Sequence, residues 1–139
     1  MKILVDTNVV LDVLLQREPY YRDSFFILQL SDSRHIIGVL SAVSMTNVFF
    51  ILRKAGKDTA EVYQGMDDIS DIFNVAPITE TTIAKALALR WKDFEDAVQY
   101  TTAKENSVEF IITRNKEDFN VSEIPCMTPD YGRLEHQKR

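Results

Sequence analysis

The chain has 139 residues, a net charge of −5 and a hydrophobic fraction of 45%. This length is enough for one substantial core, so we predict a single domain over 1–139. The negative charge argues against a protein that binds nucleic acid over its whole surface, whereas a basic rim around a small acidic site remains open. One cysteine and two histidines exclude an internal disulfide and a thiolate-rich zinc site.

No apolar run reaches the ~20 residues that a membrane-spanning helix needs. The first apolar stretch is interrupted by Asp6 soon after Lys2, so it is too short for the core of a signal peptide. We therefore expect a cytoplasmic protein that makes no contact with a membrane.

Short β-type segments alternate with helical patterns along the chain. Strands are predicted near 2–5, 35–39, 75–77, 109–113 and 125–128, and helices near 8–16, 19–32, 42–55, 59–73, 79–90 and 93–106. Strands separated by helices are typical of βαβ units, which predicts an α/β protein whose parallel sheet is covered on both faces. In such sheets, ligands bind at the carboxyl ends of the strands.

Polar side chains gather at this predicted edge of the sheet. They are Asp6 after the first strand, Asp93, Glu95 and Asp96 at the start of a helix, and Thr113, Arg114, Asn115 and Asp118 after the strand EFIIT. Each acid alone has a structural explanation, because aspartates cap helices and acids are favoured in a first helical turn. Their coincidence at one edge favours a site for a hard divalent cation, Mg²⁺ or Mn²⁺.

A second aspartate, Asp12, lies within the apolar run that follows Asp6. Its spacing places it nearly two helical turns beyond Asp6. We predict that Asp12 faces solvent or joins a local structural network, so it is not assigned to the site.

Three segments, ILVDTNVVLDVL, DFEDAVQYTTA and FIITRNKEDF, occur in this order and together resemble a PIN domain over essentially the whole chain. Among PIN proteins, the pattern is similar to bacterial toxins of the VapC type. The resemblance implies a three-layer α/β/α sandwich with a central, mainly parallel sheet of four to five strands. It also implies a ribonuclease that depends on Mg²⁺ or Mn²⁺.

The resemblance also assigns residues by position. Asp6 and Asp96 match acids of the family's metal site, and Thr113 matches a small hydroxyl residue at a strand end. Two positions that are usually acidic hold Asn47 and Asn115. An amide oxygen can ligate Mg²⁺ but adds no negative charge, so one metal is expected to bind more readily than two.

The predicted catalytic set is Asp6, Asp96, Asn47, Asn115 and Thr113. The predicted metal ligands are Asp6, Asp96 and Asn115, and Asp93 and Asp118 are candidates to compensate for the missing charge. Arg114 and Asn8 are predicted to contact substrate, and Arg90 and Lys92 add positive charge before Asp93.

In this mechanism a divalent ion lowers the pKa of water and offsets charge on the scissile phosphate. No histidine is needed, and His35 and His136 lie away from the predicted edge.

Other functions remain open at this point. Two asparagines at acidic positions are also what a degenerate PIN domain would carry, one that binds RNA or protein without cutting. Phosphotransferases that use a strand-end aspartate are disfavoured because Asn8 stands where a second aspartate is needed. A toxin of this type implies RNA as substrate, an antitoxin partner and a homodimer, for which 9–15 and 25–30 offer apolar faces.

Overall fold

The computed structural model describes residues 1–119 and 121–130, so His136 and the end of the predicted domain lie outside the described residues. The strands are β1 (Lys2–Val5), β2 (Ile37–Ser41), β3 (Asn74–Ala76), β4 (Phe110–Ile112) and β5 (Cys126–Met127). The α-helices are α1 (Thr7–Leu14), α2 (Tyr21–Asp32), α3 (Ala42–Lys54), α4 (Thr59–Ile72), α5 (Glu80–Leu89) and α6 (Phe94–Glu105), and a 3-10 helix spans Lys116–Phe119.

All strand pairs are parallel, and the strand order is β3-β2-β1-β4-β5. The predicted α/β fold with a parallel sheet is confirmed, with five strands. Most predicted elements are present with ends shifted by one or two residues. Within the described ranges, no helix is long and apolar enough to cross a lipid bilayer.

Side chains alternate between the two faces of β1, as the period of a strand requires. Ile3 and Val5 join the apolar cluster formed with α1 to α4, whereas Leu4 packs in the cluster that contains residues of α6. The sheet therefore separates two helical layers. Val9, Val10 and Leu11 of α1 are fully buried in the first cluster, so this part of the apolar face predicted for a homodimer belongs to the core.

The strand order creates a crevice beside β1. From β1 the chain proceeds to β2 and β3 on one side, and then returns to β4 on the other side of β1. The backbone N–H of Asp6 donates to the carbonyl of Ile112 over 2.9 Å, which holds the ends of β1 and β4 together. A reversal of strand order of this kind is where open α/β sheets place their ligands.

Gly38 in β2 offers a test of how tightly α2 and α4 pack on the sheet. A Cβ at Gly38 would lie 2.6 Å from Ser31 Oγ and 2.7 Å from Phe73 Cδ1. We expect Gly38→Ala to lower the free energy of unfolding by about 1–3 kcal/mol, because both neighbours are buried and overpacking displaces them.

The control is Gly65→Ala in α4, where the nearest atom to the new Cβ is Leu14 Cδ2 at 3.7 Å. Alanine is favoured over glycine inside a helix, so this variant is expected to be neutral or stabilised by up to about 1 kcal/mol. Urea denaturation measures both variants. Equal stability of the two would show that Gly38 is not closely packed.

Candidate active site

Asp6 occupies the crevice between β1 and β4 and is 6% exposed. It is the N-cap of α1, yet its side chain makes no capping hydrogen bond. Instead, its Oδ2 accepts from the Thr113 hydroxyl over 2.8 Å and its Oδ1 accepts from the Gln99 amide over 3.0 Å. The carboxylate is therefore held in place by β4 and α6.

Thr113 connects two parts of the predicted site. Its fully buried hydroxyl donates to Asp6 and accepts from the backbone N–H of Asn115 over 3.1 Å. Asn115 therefore lies in the turn after β4, hydrogen-bonded to the same threonine that binds Asp6. Because the Thr113 hydroxyl both donates and accepts a hydrogen bond, it positions Asp6 and Asn115 relative to each other.

The start of α6 brings further carboxylates to the crevice. Asp93 is the N-cap of α6, and its Oδ1 accepts from the backbone N–H of Asp96 over 3.0 Å. The Asp96 side chain is half-buried. Burial, followed by the charges of Asp93, Asp6 and Asp118, raises the pKa of Asp96 to about 7.

Asp118, in the 3-10 helix, completes this group of acids. Burial raises the pKa of Asp118 first, and the charges of Glu117, Asp6 and Asp93 raise it further. A cleft of about 580 Å³ opens along this side of the site. It is lined by Leu89, Arg90, Trp91, Lys92, Asp93, Asp96, Glu117, Asp118 and Val121.

Glu95 was predicted to lie at this edge of the sheet but was given no role in the site. It is half-buried, and its Oε1 accepts from the Thr7 hydroxyl over 3.4 Å. Burial raises the pKa of Glu95, as do the charges of Asp6 and Asp93, whereas hydrogen bonding from the Asn47 side chain lowers it. The signal in the sequence was the acid between Asp93 and Asp96, but helical spacing alone did not say which side of α6 faces α1 and α3.

We call the carboxylates of Asp6, Glu95, Asp96 and Asp118 the acidic crevice. Asp93 lies at its border, where it caps α6. Asn47 lies on α3, one turn after Ser44, whose hydroxyl is 2.7 Å from that of Thr7.

Asp12 does not face solvent, and that part of the prediction is wrong. It is fully buried, with Oδ2 at 2.9 Å from Arg114 Nε and Oδ1 at 3.7 Å from the Arg17 guanidinium. Burial raises the pKa of Asp12 despite these two cations. Arg17, which follows soon after α1, and Arg114, which is remote in sequence, explain how an acid is accommodated inside the apolar helix α1.

The residues predicted to contact substrate lie on the side of Asp12. Arg114 pairs with Asp12, and its guanidinium carbon lies 4.1 Å from the centre of the Tyr20 ring. Asn8 accepts a hydrogen bond of 3.5 Å from Arg17. Substrate contact by Arg114 and Asn8 stays a prediction.

The raised pKa of Asp96 predicts how the metal-free protein responds to pH. The ordinary value is 3.8 and the folded value is about 7, so the folded state holds the proton more tightly. Its stabilising contribution is complete below the ordinary value and is lost as pH rises through about 7. Asp96→Asn should therefore be more stable than wild type above neutral pH, by on the order of 1–2 kcal/mol after allowing for partial exposure.

Urea denaturation in EDTA at acidic and mildly alkaline pH measures this effect. The difference between wild type and Asp96→Asn should grow as pH rises. A constant difference across this range would contradict the assignment.

Comparisons with known proteins agree with this geometry. The PIN domain family model matches residues 2–117. The chain is 25% identical over 134 residues to Ribonuclease VapC1 of Aquifex aeolicus, which covers 93% of this chain and 91% of that protein.

Solved structures share the fold. A toxin-antitoxin complex from Klebsiella pneumoniae is 26% identical with a TM-score of 0.70, covering 91% of this chain and 97% of that chain. VapBC2 from Rickettsia felis, bound to a DNA fragment from its promoter, has a TM-score of 0.71 at 12% identity, covering 92% of this chain and 98% of that chain. With the family model matched over most of its length and the fold shared, the chain belongs to the PIN domain family.

Proposed function

We propose that this protein is a divalent-metal-dependent endoribonuclease that hydrolyses RNA phosphodiester bonds as the toxin of a type II toxin-antitoxin pair. The observation that carries the proposal is that Asp6, at the switch of strand order, is hydrogen-bonded to α6, the helix whose first turn holds Asp96. The likeness to Ribonuclease VapC1 over nearly the whole chain supports the reaction class.

The donor chemistry of the acidic crevice fits Mg²⁺ or Mn²⁺. Carboxylate and amide oxygens are the ligands these ions prefer. The charges that act most strongly on Asp96 are all carboxylates, so a bound cation would offset their repulsion. The Oε1 of the fully buried Gln99, next to Asp6, has no hydrogen-bond partner among the described residues.

Within 1–119 and 121–130, no three acidic, histidine or cysteine side chains are already gathered as a metal site. We therefore assign ligands by donor type and position: Asp6 and Asp96 hold the ion, and Asn47, Asn115, Asp93 and Asp118 are the further candidates. When bound, the ion would favour ionisation of water near neutral pH and offset charge on the phosphate.

The chain's own residues have separable tasks in this proposal. Thr113 and Gln99 fix the Asp6 carboxylate from two sides. Arg90 and Lys92 line the cleft that also contains Asp96, so they can bind phosphates of a single RNA strand that leads to the acids. Arg114 and Asn8 remain candidates for contact with substrate beyond this cleft.

The proposal includes an antitoxin that covers the acidic crevice and a homodimer of the toxin. Its support is the likeness to toxin-antitoxin complexes, among them the one from Klebsiella pneumoniae. A second candidate function is a PIN domain that binds RNA without cutting it, which the neutral Asn47 and Asn115 favour.

Purified protein incubated with single-stranded RNA separates the two functions. We expect cleavage with Mg²⁺ or Mn²⁺ and none in EDTA. In a bacterial host, expression of the wild type should slow growth and expression of Asp96→Ala should not. Binding of RNA without cleavage in either metal, with equal growth of the two strains, would favour the binding module.

A further inference from the structure

Glu95 lies where three helices meet. It is the second residue of α6, and its carboxylate contacts the hydroxyl of Thr7 in the first turn of α1. That hydroxyl is 2.7 Å from Ser44 Oγ of α3, and Asn47 follows Ser44 by one turn of the same helix. The Glu95 carboxylate therefore lies near the start of α1, on the side where α1 contacts α3.

The contact with the Thr7 hydroxyl, at 3.4 Å, does not offset the negative charge of this carboxylate. Among the described residues, no basic side chain lies within ion-pair distance of Glu95. The charges that act on it most are those of Asp6 and Asp93. A half-buried acid near other acids is unfavourable unless a cation compensates it, which points to a ligand that the protein chain does not supply.

We propose that Glu95 is a carboxylate of the metal site and replaces the acid that is absent at Asn47. The inference rests on the proposed function. Ser44, one turn before Asn47 on α3, and Glu95 on α6 both contact the hydroxyl of Thr7, so a carboxylate can reach the same place from either helix. The site thereby keeps its negative charge although the usual acidic position is neutral.

Two other acids are less suited to this replacement. The Oδ1 of Asp93 accepts from the backbone of Asp96 and caps α6. Asp118 lies on the 3-10 helix, and the nearby charge that affects it most is that of Glu117. Glu95, in contrast, contacts the Thr7 hydroxyl, which also contacts Ser44 one turn before Asn47.

The test is a calorimetric titration of the full chain with Mn²⁺ alone, which measures the Kd of the metal. Glu95→Gln keeps the shape of the side chain and is expected to weaken Mn²⁺ binding roughly ten- to a hundredfold. The control, Glu117→Gln, removes the same charge from the wall of the cleft and should change the Kd by about twofold at most. Circular dichroism verifies that each variant is folded.

Moving the carboxylate from position 95 to position 47 gives the decisive comparison of Mn²⁺ affinities. In the Glu95→Gln background, Asn47→Asp should restore most of the lost affinity, since it returns a carboxylate to the same place from α3. Equal Kd values for Glu95→Gln and Glu117→Gln would overturn the inference, as would a folded double variant that binds no better than Glu95→Gln. A wild type that binds no Mn²⁺ would overturn the proposed function together with this inference.

Discussion

Asp6→Asn is expected to abolish metal-dependent RNA cleavage, lowering kcat/KM at least about a thousandfold, or roughly 4 kcal/mol of transition-state stabilisation. Asp6 is the acid closest to the switch of strand order, and its charge acts on Glu95, Asp96 and Asp118. Removing this charge takes away the carboxylate around which the other acids converge. Binding of Mn²⁺ should weaken in parallel.

The fold should survive this substitution. The new amide can still accept from Thr113 through its oxygen, and its NH₂ group would face Gln99. A rotated Gln99 amide can accept from that group through Oε1, which has no partner among the described residues. We therefore expect loss of activity with a melting temperature no lower than that of the wild type.

Steady-state cleavage of a labelled single-stranded RNA measures the effect, and Mn²⁺ titration measures binding separately. The matched control is Asp67→Asn on the exposed side of α4, which makes the same chemical change away from the site. Retention of cleavage within tenfold of wild type would refute a metal-holding role for Asp6.

The fold and half of the site follow from local patterns in the sequence. Asp6 was predictable because it directly follows a buried strand, and strand ends meet at one edge of a parallel sheet. Asp96 was predictable from its place at the start of a helix that leads into the next strand of the sheet. Placing Asp6 and Asp96 at this edge requires only the order of strands and helices along the chain.

The role of Glu95 and the burial of Asp12 were not predictable in the same way. Which acid of the first turn of α6 faces α1 and α3 depends on how that helix is rotated against them, and spacing within the helix does not determine this. The burial of Asp12 depends on Arg114, which is remote in sequence and reaches it only after β4 pairs with β1. Long-range ion pairs leave no periodic signal in the chain.

Asp12→Ala is expected to lower the free energy of unfolding by about 3–5 kcal/mol, since it leaves a largely buried guanidinium without its anion. The Arg114 side chain is 21% exposed and would keep only the face of Tyr20. The effect should reach the site, because Arg114 lies between Thr113, which binds Asp6, and Asn115. Activity should fall along with stability.

The stability that the Asp12–Arg114 pair contributes can be measured separately from the destabilisation caused by leaving one of its charges unpaired. Asp12→Leu combined with Arg114→Met replaces both charges by apolar groups of similar length, and such replacements of buried pairs are often neutral or stabilising. Urea denaturation should therefore show the double variant to be more stable than either single variant, with a coupling of about 1–3 kcal/mol between the positions. Additive losses would mean that Asp12 and Arg114 stabilise the fold independently, and the turn that carries Thr113 and Asn115 would then need another anchor.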